Sequence, residues 1–162
     1  MHNKLLTGRT AVVTGASDGI GRATSLLLAE QGARVFAADI RQNPENQTVF
    51  SELDISFQIC DVRQESDLQR VFAEVISTSG RVDILVNNAG IGMVKQITDV
   101  TEADWNSCID TNLKGPFFGC KHAIGQMQKN GGGAIVNIAS NAGILPRAHD
   151  PVYSISTLAL VG

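Results

Sequence analysis

The stretch Thr10–Gly32, TAVVTGASDGIGRATSLLLAEQG, decides the fold. Its first five residues, Thr10–Thr14 (TAVVT), form a short β-branched run that reads as a buried strand. A glycine-rich turn follows. Then Ile20, Ala23, Thr24, Leu27 and Leu28 recur at i, i+3, i+4, i+7 and i+8. That spacing predicts a helix with these residues on one apolar face, and Gly32 stands where a C-terminal cap belongs.

The same alternation continues along the chain. Arg34–Asp39 (RVFAAD) reads as a second strand, and residues 41–54 are polar and irregular with at most a short helix. Ser56–Asp61 (SFQICD) reads as a third strand, after which Leu68, Val71, Phe72, Val75 and Ile76 repeat the helical spacing. Val82–Asn87 (VDILVN) predicts a fourth strand, and the Thr101–Asp104 segment TEAD resembles a capping box that starts a helix. A longer helix is expected over Leu113–Lys129, burying Phe117, Ile124 and Met127, with Gly131–Gly133 ending it. Ala134–Ile138 (AIVNI) makes a fifth strand, and a last helix begins near Pro151–Tyr153.

Strands alternating with helices imply βαβ crossovers and a parallel sheet. The strands are almost continuously apolar, as a sheet covered by helices on both faces requires. The fold class is therefore α/β, a doubly wound parallel sheet. Ligands of such sheets bind at the carboxyl ends of the strands, where strand order reverses. Gly15–Gly21, Asp39, Asp61–Val62, Asn87–Gly90 and Ser140 fall there.

Length and composition agree with one domain. The chain has 162 residues, 43% hydrophobic and 18% charged, with 13 Lys+Arg against 16 Asp+Glu and a net charge of −3. A mildly acidic chain with no basic run argues against a nucleic-acid or membrane-surface partner. Residues 1–7 (MHNKLLT) have no apolar signal core, and no apolar run approaches the ~20 residues that span a bilayer. Cys60, Cys108 and Cys120 are odd in number and lack C-x-x-C spacing, so they read as buried free thiols of a cytoplasmic protein. His2, His122 and His149 are scattered, and no metal site is expected.

The turn Thr14–Gly21 (TGASDGIG) has the glycine spacing G-x-x-x-G-x-G, between a strand and a helix. Its glycines permit a tight turn and close backbone approach. The helix N-terminus then offers free N–H groups and a positive dipole end to a diphosphate. Gly15, Ser17, Asp18, Gly19, Ile20 and Gly21 are the candidate residues. Asp39 closes the second strand 20 residues after Gly19, where a carboxylate can bind ribose hydroxyls, with Ile40 beside it. A carboxylate there, with Asp18 nearby, repels the extra phosphate of NADP and points to NAD. Arg41 is a phosphate partner that keeps NADP open, and a solvated strand-end aspartate is the structural alternative for Asp39.

These motifs resemble the short-chain dehydrogenase/reductase family, whose members have a Rossmann-type sheet. The matching pieces are TGASDGIG, the Asp61–Val62 pair, NNAG (Asn87–Gly90), Asn112 in DTNLKG, and Ser140 followed 13 residues later by Tyr153. Within the family the chain is similar to sugar, polyol and 3-oxoacyl reductases. The resemblance implies that Asp61 and Val62 hold the adenine, and that Asn87, Asn88, Ala89 and Gly90 brace the fourth strand and border the cofactor. It implies that Asn112 distorts its helix and anchors a water, that Ser140 bonds the substrate oxygen, and that Tyr153 transfers the proton. Taken singly, Asn112 could be a polar residue inside a helix and Ser140 a strand cap; their joint order favours the catalytic reading. Asn141, Ile144, Arg147 and His149 hint at the pocket lining, with His149 not catalytic.

The implied reaction is hydride transfer between a nicotinamide and a secondary alcohol or ketone. Alkoxide charge that develops on the substrate needs a hydrogen-bond donor and a proton source, which a serine hydroxyl and a tyrosine phenol supply. A free phenol titrates near ~10, and in the family a lysine four residues after the tyrosine lowers it. Here that position is Thr157. A cation ~4 Å away is worth about 4 kcal/mol at an effective dielectric of ~20, enough to move a phenol by roughly two pH units. The expectation is a chain that turns over slowly or not at all, with a non-catalytic nucleotide-binding fragment or interaction protein as the alternative. The resemblance further implies two more strands and a substrate loop after residue 162. The domain over residues 1–162 is thus expected to be incomplete after its fifth strand, which leaves an open apolar edge. A homodimer or homotetramer is implied through the helix near Leu113–Lys129 and the helix at Tyr153.

Overall fold

The computed structural model describes residues 4–162; His2 and the first residues of the 1–7 segment lie outside them. Five strands form one sheet: β1 (Thr10–Thr14), β2 (Arg34–Asp39), β3 (Ser56–Ile59), β4 (Ile84–Asn87) and β5 (Ala134–Asn137). Their order is β3-β2-β1-β4-β5 and every pairing is parallel. The chain winds outward from β1 to β3, then returns to the other side of β1 for β4 and β5. Strand order reverses between β1 and β4, which opens a crevice at their carboxyl ends. Three predicted strand ends are too long: β3 stops at Ile59, β4 begins at Ile84 and β5 stops at Asn137, because the flanking residues turn into loops at the crevice or at the sheet's opposite end.

Alternate strand residues face opposite helical layers. Ala11, Val13, Val35 and Ala37 pack with Ala29 of α1 (Gly19–Glu30) and Phe50 of α2 (Gln47–Glu52). Val12, Phe36 and Leu85 pack with Leu68, Val71, Phe72 and Val75 of α3 (Glu65–Ser79) and with Ala123 and Met127 of α5 (Gly115–Met127). The α3 face is the one its periodicity predicts. At the sheet's amino end, Asp83 is 4% exposed and accepts hydrogen bonds from Arg9, Arg81 and the Thr10 amide, tying β1 to β4.

Two helix faces differ from expectation. In α1 the buried residues are Gly21, Ser25 and Ala29, whereas Ile20 is 63% and Leu27 57% exposed. The helix lies close on the sheet through these small side chains, so that of the larger residues expected on its face Leu28 still packs against the core while Ile20 and Leu27 lie off it. In α5 the buried residues are Gly115, Pro116, Gly119, Ala123 and Met127, so Phe117, at 67% exposure, and Ile124 lie outside the core. That helix also begins later than Leu113, because Asp110–Lys114 forms a π-helical turn after α4 (Glu102–Ile109). The Thr101–Asp104 capping box at the start of α4 is formed in full. The last helix is α6 (Pro151–Val161), and β5 is an edge strand whose residues are largely exposed. Among the described residues no helix is long and apolar enough to cross a membrane.

Candidate active site

The glycine turn is shaped by backbone contact with the end of β4. Gly15 has φ +64°, and a Cβ there would lie 2.7 Å from Ala89 Cα. Thr14 Oγ1 accepts the amides of Asn88 and Ala89, each at 3.1 Å. Asn88 Nδ2 donates to the carbonyls of Thr14 and Gly15 at 2.9 and 3.0 Å. The turn and the NNAG segment are therefore one unit. Asp18 occupies the N-cap of α1 without capping it through its side chain, and no acidic residue stands in the first turn. The amides at that helix start remain for an anion.

A cavity of about 660 Å³ lies over this unit. It is lined by Gly15, Ser17, Asp18, Gly19, Ile20, Asp39, Ile40, Asp61, Val62, Asn88, Ala89 and Gly90, all expected there. Gly21 does not line it. A Cβ on Gly21 would sit 2.2 Å from the Gly15 carbonyl oxygen, so this glycine lets α1 approach the turn. Asp39 accepts the Ser17 amide at 3.0 Å and the Arg41 amide at 3.3 Å, which fixes its carboxylate at the cavity wall. The Ser17 hydroxyl donates to the Arg41 carbonyl.

Sequence reasoning missed several of the lining residues. Arg63, Cys60, Ile91, Ser107 and Thr111 also face this cavity. Arg63 forks onto Asp61 at 2.7–3.1 Å and holds that carboxyl below its usual range. Burial, with Asp67 adding to it, pushes the Cys60 thiol up to about 12, so it presents a neutral wall. Ser107 and Thr111 stand at i and i+4, a helical spacing that could have signalled one shared face. Of the thiols expected to be buried, Cys60 and Cys108 are, while Cys120 is half-buried where α5 meets the ends of β4 and β5, its sulfur accepting from Asn87 Nδ2 at 3.4 Å.

A second cavity of about 370 Å³ shares Ile20, Asn88, Ala89, Gly90 and Ile91 with the first and continues from it. Asn112, Ser140 and Tyr153 all line this one. Asn112, at the centre of the π turn, accepts the Ile91 amide at 2.8 Å. It also donates to the Ile91 carbonyl at 2.9 Å and to Ser156 Oγ at 3.0 Å. Its side chain thus joins the β4 loop to the helix that carries Tyr153. Ser140 ends the β5 loop, where its hydroxyl accepts the Ala142 amide at 3.1 Å.

Thr157 lines the same cavity but is 3% exposed, and its hydroxyl donates back to the carbonyls of Tyr153 and Ser154 at 2.9 and 3.2 Å. The residues lining this cavity include no Lys, Arg, Asp or Glu. The four hinted lining residues are not among them: Arg147 bonds Asn141 at 2.9 Å, Ile144 is exposed, and His149 borders a separate surface groove beside Gln96. The 144–149 loop folds toward residues 95–96, through a bond from the Lys95 amide to the His149 carbonyl, and not over the cavity.

Comparison with known proteins matches this geometry. The family model for short chain dehydrogenases matches residues 9–162. An uncharacterized oxidoreductase of Thermotoga maritima is 39% identical over 161 residues, covering 96% of this chain and 62% of the relative. An NAD-dependent glycerol dehydrogenase of Listeria innocua is 32% identical over 158 residues, again covering 96% of this chain and 62% of the relative. A crystal structure from Sinorhizobium meliloti 1021, named after the short-chain alcohol dehydrogenases, superposes with a TM-score of 0.90 at 35% identity, over 99% of this chain and 65% of that one. The chain belongs to the short-chain dehydrogenase family. It spans 62% of the length of the curated relatives described here.

Proposed function

We infer that this chain carries the nucleotide-binding and proton-transfer part of an NAD(H)-dependent oxidoreductase that interconverts a secondary alcohol and a ketone. The observation that carries the reading is the continuity of the two cavities. The uncapped start of α1 and the Asp39 carboxylate line one, and Ser140, Tyr153 and Asn112 line the other. A dinucleotide fits this donor set: amides of the α1 N-terminus for its diphosphate, Asp39 for the adenosine ribose, Asp61 and Val62 for the adenine.

When bound, that group supplies or accepts the hydride. Ser140 offers a hydroxyl to the substrate oxygen, where charge develops. Tyr153 gives the proton to that oxygen or takes it away. Asn112 holds the β4 loop and α6 at fixed separation, so serine, tyrosine and cofactor end stay in register. Asp39 supports NAD over NADP, with Arg41 in the same cavity as the group that would tolerate a further phosphate.

Thr157 favours a second reading for the chain as it stands, nucleotide binding with little turnover. Its short hydroxyl is spent on its own helix, and no cation lines the Tyr153 cavity. The deciding experiment pairs calorimetric titration of NAD+ with a nicotinamide absorbance assay on polyols, sugars and hydroxyacyl esters, for the wild type and Thr157→Lys. Binding by both, with turnover at least tenfold faster in the lysine variant, is expected. Failure of both to bind NAD+ would remove the oxidoreductase reading.

Association through α5 and α6 into a homodimer or homotetramer is supported by the outward Phe117, Ile124, Ile155 and Leu158, and light scattering tests it. Three free cysteines support a reducing compartment such as the cytoplasm.

A further inference from the structure

Asn46 lies outside both cavities, yet it is 1% exposed. It occupies the N-cap position of α2, where an asparagine side chain ordinarily bonds the first amides of its own helix. Here it makes no such bond. It reaches back 29 residues instead: Nδ2 donates to the Ser17 carbonyl at 2.7 Å, and Oδ1 accepts from Arg22 Nε at 2.5 Å. Ser17 belongs to the glycine turn and Arg22 to the first turn of α1, so one side chain spans the bend that faces the larger cavity.

The Ser17 peptide is held from every side. Its amide goes to Asp39, its hydroxyl to the Arg41 carbonyl and its carbonyl to Asn46. In a planar trans peptide the C=O of Ser17 and the N–H of Asp18 point in opposite directions. Fixing the carbonyl on Asn46 therefore also fixes the direction of the Asp18 N–H at the start of α1. If the anchor is lost, that peptide can rotate, and the buried carbonyl is left without its donor.

We propose that Asn46 is a positioning residue for the diphosphate of the nucleotide, acting through the Ser17 peptide and never touching the ligand. The proposal rests on the dinucleotide reading above. It assigns the polar segment after β2 a role in the phosphate turn as well as at the ribose.

The test is calorimetry on the 162-residue chain with NAD+, ADP-ribose and adenosine, together with amide hydrogen exchange of residues 15–20. Asn46→Ala is expected to weaken NAD+ and ADP-ribose at least tenfold, to leave adenosine within twofold, and to speed exchange in the glycine turn. A merely structural role would lower the affinity of all three ligands alike. Asn46→Asp keeps the shape and the Arg22 pairing but removes the donor to Ser17, so it should lose the same tenfold. Should the alanine variant melt far below the wild type, the aspartate variant decides. Retention of NAD+ affinity by the aspartate variant overturns the proposal. A wild type that binds no dinucleotide sinks the oxidoreductase reading and this one together, and the flat ligand series of wild type and variants alike marks that case.

Discussion

Replacing Gly21 by alanine adds one methyl group at the point where α1 meets the phosphate turn. That Cβ would stand 2.2 Å from the Gly15 carbonyl oxygen and 2.4 Å from Asn88 Nδ2. Ordinary contact needs roughly 3.4 Å or more, so helix and turn must part by about 1 Å, against a backbone atom that cannot swing away. Overpacking of this kind costs about 1–3 kcal/mol. For a domain of this size that corresponds to a drop of roughly 3–10 °C in melting temperature. The displaced parts are the amides that would hold the diphosphate and the bonds from Asn88 to Thr14 and Gly15, so NAD+ affinity should fall at least tenfold. Gly125 provides the control. It lies inside α5, exposed, with nothing within 4 Å of an added Cβ. There the same substitution gains helix propensity of up to about 1 kcal/mol and should raise melting by about 2–4 °C without touching affinity. Thermal melts and calorimetry on both variants make the comparison. A Gly21→Ala protein that melts and binds like the wild type, or two variants that shift in the same direction, would refute the packing argument.

Three further outcomes are expected. Burial pushes the Asp83 carboxyl up, but hydrogen bonds from Arg81, the Thr10 amide and Arg9 outweigh it and bring it down to about 2 from 3.8. A folded value below the unfolded one stabilises the protein above pH ~4, by about 2 kcal/mol, and the gain disappears as pH falls toward ~2. Acid melts should show that slope, and Asp83→Asn should flatten it. Replacing Asp39 by asparagine removes the charge that repels a ribose phosphate; the NAD+ to NADP+ affinity ratio, read by titration, should fall about tenfold, and an unchanged ratio would discount Asp39 as the selector. Asn112→Ala cuts the link between Ile91 and Ser156, so catalysis by the Thr157→Lys background should drop while NAD+ affinity stays within severalfold, measured by parallel rate and binding assays.

The sequence alone determined the alternation of strands and helices, the α3 core face, the capping box at Thr101–Asp104, and the residues gathered at the carboxyl ends of the strands. Each is written locally. Alternation and helical spacing report burial within a dozen residues, and Thr101 finds its capping partner three residues on. Asp39, Asp61 and Asn88 could be placed at the crevice because every parallel strand ends on the same side. The helix faces that went astray, at Leu27 and at Phe117, are those where contact with the sheet is made by glycine, serine and alanine. Hydrophobic periodicity cannot register residues that are chosen for being small. Only the tertiary structure decided the order β3-β2-β1-β4-β5, the bridge that Asn112 makes between Ile91 and Ser156 and the clasp of Asn46 on Ser17. These depend on pairings between segments far apart in the chain, and a buried polar group takes whatever partner the finished packing brings within reach.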